Sequence, residues 1–129
     1  MKLQLRAEGE AHAVRLCSQI DVTLLSPEAV GGRMIVVTAP GEHDATPGAC
    51  AEAEQVERVA VAADSMGVDT AIVCQPAASL WRRPIETVSQ SERGFERAYQ
   101  GTSLLFSWLG EVGGEQTLSA TLTLRVATS

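Results

Sequence analysis

Apolar and polar residues alternate with a period of two along much of the chain, the signature of strands with one dry and one wet face. Leu3 and Leu5 interleave with Lys2, Gln4 and Arg6 in a short strand or strand-like arm. A longer signal follows: Val14, Leu16, Ile20, Val22 and Leu24 share one parity, and Arg15, Gln19, Asp21 and Thr23 take the other. Pro27 is read as its end, because proline supplies no ladder donor. Gly31 and Gly32 then turn the chain into the short apolar strand Met34–Thr38. The Gly, Pro and Asp content of Ala39–Pro47 reads as a loop.

Ala49–Ala63 fits two templates. Its Ala and Glu content, with Val56, Val59, Ala60 and Ala63 at helical spacing, suits a helix; Val59, Val61 and Ala63 equally suit a strand. A helix there would make a parallel βαβ unit with its flanking strands and move the fold to α/β. Val68, Thr70, Ile72 and Cys74 mark one face of a further strand, stopped at Pro76. The cleanest alternation is C-terminal, where Leu118, Ala120, Leu122, Leu124 and Val126 oppose Thr117, Ser119, Thr121, Thr123 and Arg125. Gly110–Gln116 is read as the turn that pairs this strand with Ser103–Leu109 in a hairpin.

Aromatic residues make up only 4% of the chain, yet all of them lie between Trp81 and Trp108: Trp81, Phe95, Tyr99, Phe106 and Trp108. Such crowding points to a local cluster or a recognition face. With 129 residues the chain is expected to be one domain. No apolar run approaches the roughly 18 residues of a membrane helix, and the alternating N-terminus has no signal-peptide core, so a cytoplasmic protein is expected. The net charge of −6 disfavours nucleic acid or an anionic membrane as partner, with Arg82, Arg83, Arg93 and Arg97 as a local exception. Cys17, Cys50 and Cys74 show no CxxC spacing and read as free, buried thiols; His12 and His43 have no ligand-spaced partner. No metal or other cofactor is expected.

The run WRRPIETVSQSERGFERAYQG (Trp81–Gly101), continued to Trp108, resembles the C-terminal β-sandwich domain of glycoside hydrolase family 57 alpha-amylases and 4-alpha-glucanotransferases. The likeness is close over Leu80–Trp108 and weaker, though in register, over Asp21–Pro27, Val56–Val73 and the terminal strand. The resemblance implies an all-β fold, an antiparallel sandwich of the galactose-mutarotase-like kind, and so favours strand for Val56–Ala63. It also implies a setting in alpha-glucan metabolism. The family's catalytic carboxylates sit in a separate barrel without counterpart here, so glycosyl transfer by this chain alone is not expected.

Trp81, Trp108 and Tyr99 are candidates for a sugar platform, because a flat ring packs on the apolar face of a pyranose while amides and carboxylates bond its hydroxyls. Strands flanking a hairpin also bury their tryptophans, which is the competing use of both. Glu86 and Glu92 could act as acid and base at an anomeric centre, or could simply pair with the nearby arginines. Ser89, Ser91 and Ser103 lack triad partners, and Gly94 and Gly101 read as turn or bulge positions. The expected ligand-binding set is therefore Trp81, Glu86, Gln90, Glu92, Arg97, Tyr99 and Gln100, for an alpha-glucan or oligosaccharide. Two alternatives stand beside it: an interaction protein whose sheet edges are covered by a second copy, and a small mutarotase-like enzyme using Glu86 or Glu92.

Overall fold

The computed structural model describes residues 1–6, 9–23, 32–63, 67–114 and 117–128. Among these, eight antiparallel strands are present: β1 (Lys2–Arg6), β2 (His12–Val22), β3 (Gly32–Thr38), β4 (Gly41–Ala45), β5 (Ala51–Ala63), β6 (Val68–Ser91), β7 (Gly94–Val112) and β8 (Thr117–Thr128). The expected all-β, antiparallel architecture is what the chain adopts. The expected strand end at Pro27 and the start of the turn at Gly31 lie outside the described residues.

Two long strands organise everything else. The first half of β6, Val68–Gln75, pairs with β8 on one side and with Arg58–Ala63 of β5 on the other. Its second half, from Ser79, pairs with β7, while Leu80–Arg82 still pair with Ala51–Ala53 at the start of β5. Both strands thus pass from one layer of the sandwich into the other. The first layer runs β1-β8-β6-β5-β3-β4, and the second runs β5-β6-β7-β2.

Three expectations are corrected by this layout. Pro76 does not end a strand: it sits inside β6, between the last β8 partner at Gln75 and the first β7 partner at Ser79, where no ladder bond is asked of its nitrogen. Ala39–Pro47 is not wholly loop, because β4 pairs with β3 across a tight turn that closes Thr38 on Gly41. Gly110–Gln116 does not close a β7–β8 hairpin. The edges of β7 are taken by β2 and β6, so β8 crosses to the other layer and pairs with β1 and β6.

The alternation read along most strands fills the space between the layers, although Leu5 of β1 and Leu124 and Val126 at the end of β8 stay exposed. Met34, Val36, Val59, Val61, Ile72, Cys74 and Leu122 from the first layer meet Val56, Leu80, Leu104, Phe106 and Trp108 from the second in one buried cluster. Trp108 anchors the corner by donating its indole N–H to the Pro76 carbonyl at 2.8 Å. Of Ala49–Ala63, Ala51–Ala63 is strand and none of it is helix, with β-bulges flanking Val56.

The cysteines depart from expectation. Only Cys74 is buried; Cys17 takes the wet parity of β2 opposite Ser107, and Cys50 precedes β5 on the surface. Burial pushes the Cys74 thiol up to about 12, so it stays protonated at neutral pH. A thiol reagent at pH 7 is therefore expected to modify Cys17 and Cys50 in the folded protein and to reach Cys74 only on unfolding. Mass spectrometry of the native and denatured adducts reads this directly, and native labelling of Cys74 would contradict its placement.

Candidate functional site

The outward face of the second layer carries an uncommon feature for a sheet surface, a tryptophan with 46% of its area exposed. Strand register sets Trp81 in a row across four strands, Glu52–Trp81–Leu105–Gln19. The next row places Arg83, Ser103 and Asp21 side by side. The first row with Arg83 and Ser103 floors a cleft of about 480 Å³ whose rim includes Cys50, Ala51 and Arg82. The ring is steadied from β2, where Arg15 lies with its guanidinium carbon 5.9 Å from the ring centroid and donates to Ser107 Oγ at 2.8 Å. Gln19 donates to Asp21 at 3.0 Å, and Arg82 donates to the Thr46 carbonyl at 2.9 Å, which holds the rim. The result is one flat aromatic face ringed by amide, carboxylate, guanidinium and hydroxyl groups.

The expected site residues are not gathered here as a set. Beyond Ile85, β6 and β7 continue as a two-stranded ribbon turned at Glu92 and Arg93, and its side chains are almost all exposed. A bulge between Ile85 and Glu86 leaves Gln100 as the extra residue on β7. That single residue turns Tyr99, Arg97 and Phe95 to the face opposite Trp81. Tyr99 consequently packs against the core, and its hydroxyl donates to Thr102 Oγ1 at 2.6 Å, since the Thr102 proton is committed to the Pro47 carbonyl at 2.8 Å. Glu86, Gln90, Arg97 and Tyr99 share this inner-parity face of the ribbon, with Arg97 3.9 Å from Glu86. Gln100 turns to the other face and donates to Thr87 Oγ1 at 3.3 Å, and Glu92 stands at the tip.

The aromatic cluster therefore divides three ways. Phe106 and Trp108 are core, Tyr99 is half-buried at the foot of the ribbon, and Trp81 and Phe95 face solvent. The residues that the sequence reading left out of the site, Gln19, Glu52, Arg15 and Leu105, come from other strands. For Arg15 and Gln19 the sequence signal was the wet parity of β2.

Comparison with known proteins settles the relationship. The profile of the family described as alpha-amylase/4-alpha-glucanotransferase, C-terminal, matches residues 2–122. The chain belongs to that family. Alpha-amylase 1 of Dictyoglomus thermophilum is 55% identical over 40 residues, which are 31% of this chain and 6% of that protein. The crystal structure of 4-alpha-glucanotransferase from Thermococcus litoralis superposes with a TM-score of 0.54 at 22% identity, over 88% of this chain and 14% of that one. At that identity the likeness is one of fold. The chain thus spans a small fraction of these relatives, and corresponds to the C-terminal domain of the amylase and glucanotransferase family.

Proposed function

We propose that this C-terminal-type domain is a non-catalytic accessory module that holds an alpha-glucan or oligosaccharide on the outward face centred on Trp81. The observation that carries the reading is the exposed indole itself, seated in an open cleft among Gln19, Glu52 and Arg83. An indole left half in water has not been used for packing, and a ring face bordered by hydrogen-bonding groups suits a pyranose better than a charged or wholly apolar ligand. Membership of a family named for glucan-processing enzymes supplies the substrate class. Glu86 and Glu92 favour no catalytic role, because both stand exposed on the ribbon, away from the cleft around Trp81.

Titration with maltooligosaccharides is expected to change tryptophan fluorescence saturably, and Trp81→Ala to weaken binding at least about tenfold, equivalent to about 1.4 kcal/mol. The melting temperature of that variant should stay near that of the parent, because the side chain lies outside the core. Retention of full affinity in Trp81→Ala would remove the proposal.

A further inference from the structure

The outward face of the first layer, on the other sheet, has a different chemistry. Its central row reads Asp44–Ile35–Ala60–Ala71–Arg125 across β4, β3, β5, β6 and β8. One row away lie Glu42, Val37, Arg58, Val73 and Thr123, and on the other side Arg33, Ala62, Asp69 and Ala127. Small apolar residues thus form a flat floor, which the described residues leave open as a shallow depression of about 410 Å³. Charged side chains of both signs border it. Among the described residues neither Arg58 nor Arg125 makes a side-chain hydrogen bond or ion pair.

We infer that this face is the homodimer interface of the domain, closed by a second copy packed sheet against sheet around a two-fold axis along β5. A dry, smooth centre with a charged rim is the anatomy of a protein interface. Identity of the occupant follows from the order of the charges. Because β5 is the middle strand of the five, a two-fold along it lays β4 over the partner's β8 and β3 over the partner's β6. Arg33 and Asp44, which pair with each other at 2.8 Å within the chain, then face the partner's Asp69 and the partner's Arg125 and extend into a four-charge network, while Ile35 meets the partner's Ala71 and Ala60 meets its own copy. Apart from Arg58, the charges of the face are complementary to themselves under this operation.

The size is adequate. Five strands at ~4.8 Å spacing and about six residues at ~3.4 Å give a face near 24 by 20 Å, so that roughly 1,000 Å² is covered on the two copies together, the scale of a specific but modest contact. Arg58 is the exception in the pattern, since the two-fold brings it against its own copy. Like charges so placed oppose association, and its removal should strengthen the dimer.

Sedimentation of the intact domain from micromolar to millimolar concentration tests this. A reversible monomer–dimer equilibrium is expected, weakened about tenfold or more by Arg125→Glu and abolished by Ala71→Arg. Asp69→Arg should also weaken it, and Arg58→Ala should tighten it. Arg125 is exposed, so its variant reports on association without risk to folding. A protein monomeric over the whole range, or a dimer indifferent to both Arg125→Glu and Asp69→Arg, overturns the inference. Glucan titration of the Arg125→Glu variant should match the parent, since Trp81 lies on the outward face of the other layer.

Discussion

Phe106→Ala is expected to destabilise the domain by about 3–5 kcal/mol, a large share of the roughly 5–15 kcal/mol that holds a domain of this size together. Phe106 is fully buried at the middle of β7, directly opposite Leu80 on β6 and Ser18 on β2, and it lies in the cluster that joins the layers. Truncation removes the transfer free energy of the ring and leaves a void that long strands cannot collapse around. Phe95→Ala provides the control within the same strand. That ring is 77% exposed on the ribbon, and its loss should change stability by no more than about 0.5 kcal/mol. Urea unfolding followed by circular dichroism reads both as shifts in midpoint at constant slope. Equal losses for the two would mean that the layers are not held by the β7 residues assigned to the core.

Gly101→Val should cost about 1–3 kcal/mol and loosen the end of β2 from β7. A Cβ built at Gly101 would lie 2.7 Å from the Val22 carbonyl oxygen and 3.4 Å from Thr23 Cα, both backbone atoms that cannot swing aside. Glycine is therefore required here by a close approach of two strands, next to the bulge at Gln100. Amide hydrogen exchange is the appropriate measurement: protection across the Val22–Thr102 pair should fall while that at the opposite end, His12–Val112, persists. Unchanged protection and stability would contradict the packing of these strands.

Bulges elsewhere explain which parts of the molecule could be read from the chain. β2 and β8 were legible because their alternation is unbroken over the residues that matter. β5 was not, and the reason is physical. With β-bulges on both sides of Val56, the core residues Val56, Val59 and Val61 fall at spacings of three and then two, and the first of these imitates a helix turn. Pro76 misled in another way, since a proline inside a strand is harmless where the strand is changing partners. Nor could the partners of β8 be found from a glycine-rich connection, because pairing depends on which edges the rest of the fold leaves free.

The site shows the same boundary. The crowding of aromatics singled out Trp81 as a candidate, and the resemblance named the family. Whether Trp81 and Tyr99 share a face depends on counting residues through the ladder, and one inserted residue at Gln100 reverses the answer. Gln19 and Glu52 join Trp81 only through register across β2, β7 and β5, which no local pattern contains.

The two indoles make the direct measurement possible. In ¹H–¹⁵N spectra each tryptophan gives its own side-chain N–H signal, and that of Trp108 is tied to the Pro76 carbonyl inside the corner. On addition of a maltooligosaccharide, the Trp81 signal should move saturably while the Trp108 signal stays in place. A spectrum in which the Trp81 indole is unmoved at saturating sugar would contradict the assignment of this face to glucan binding.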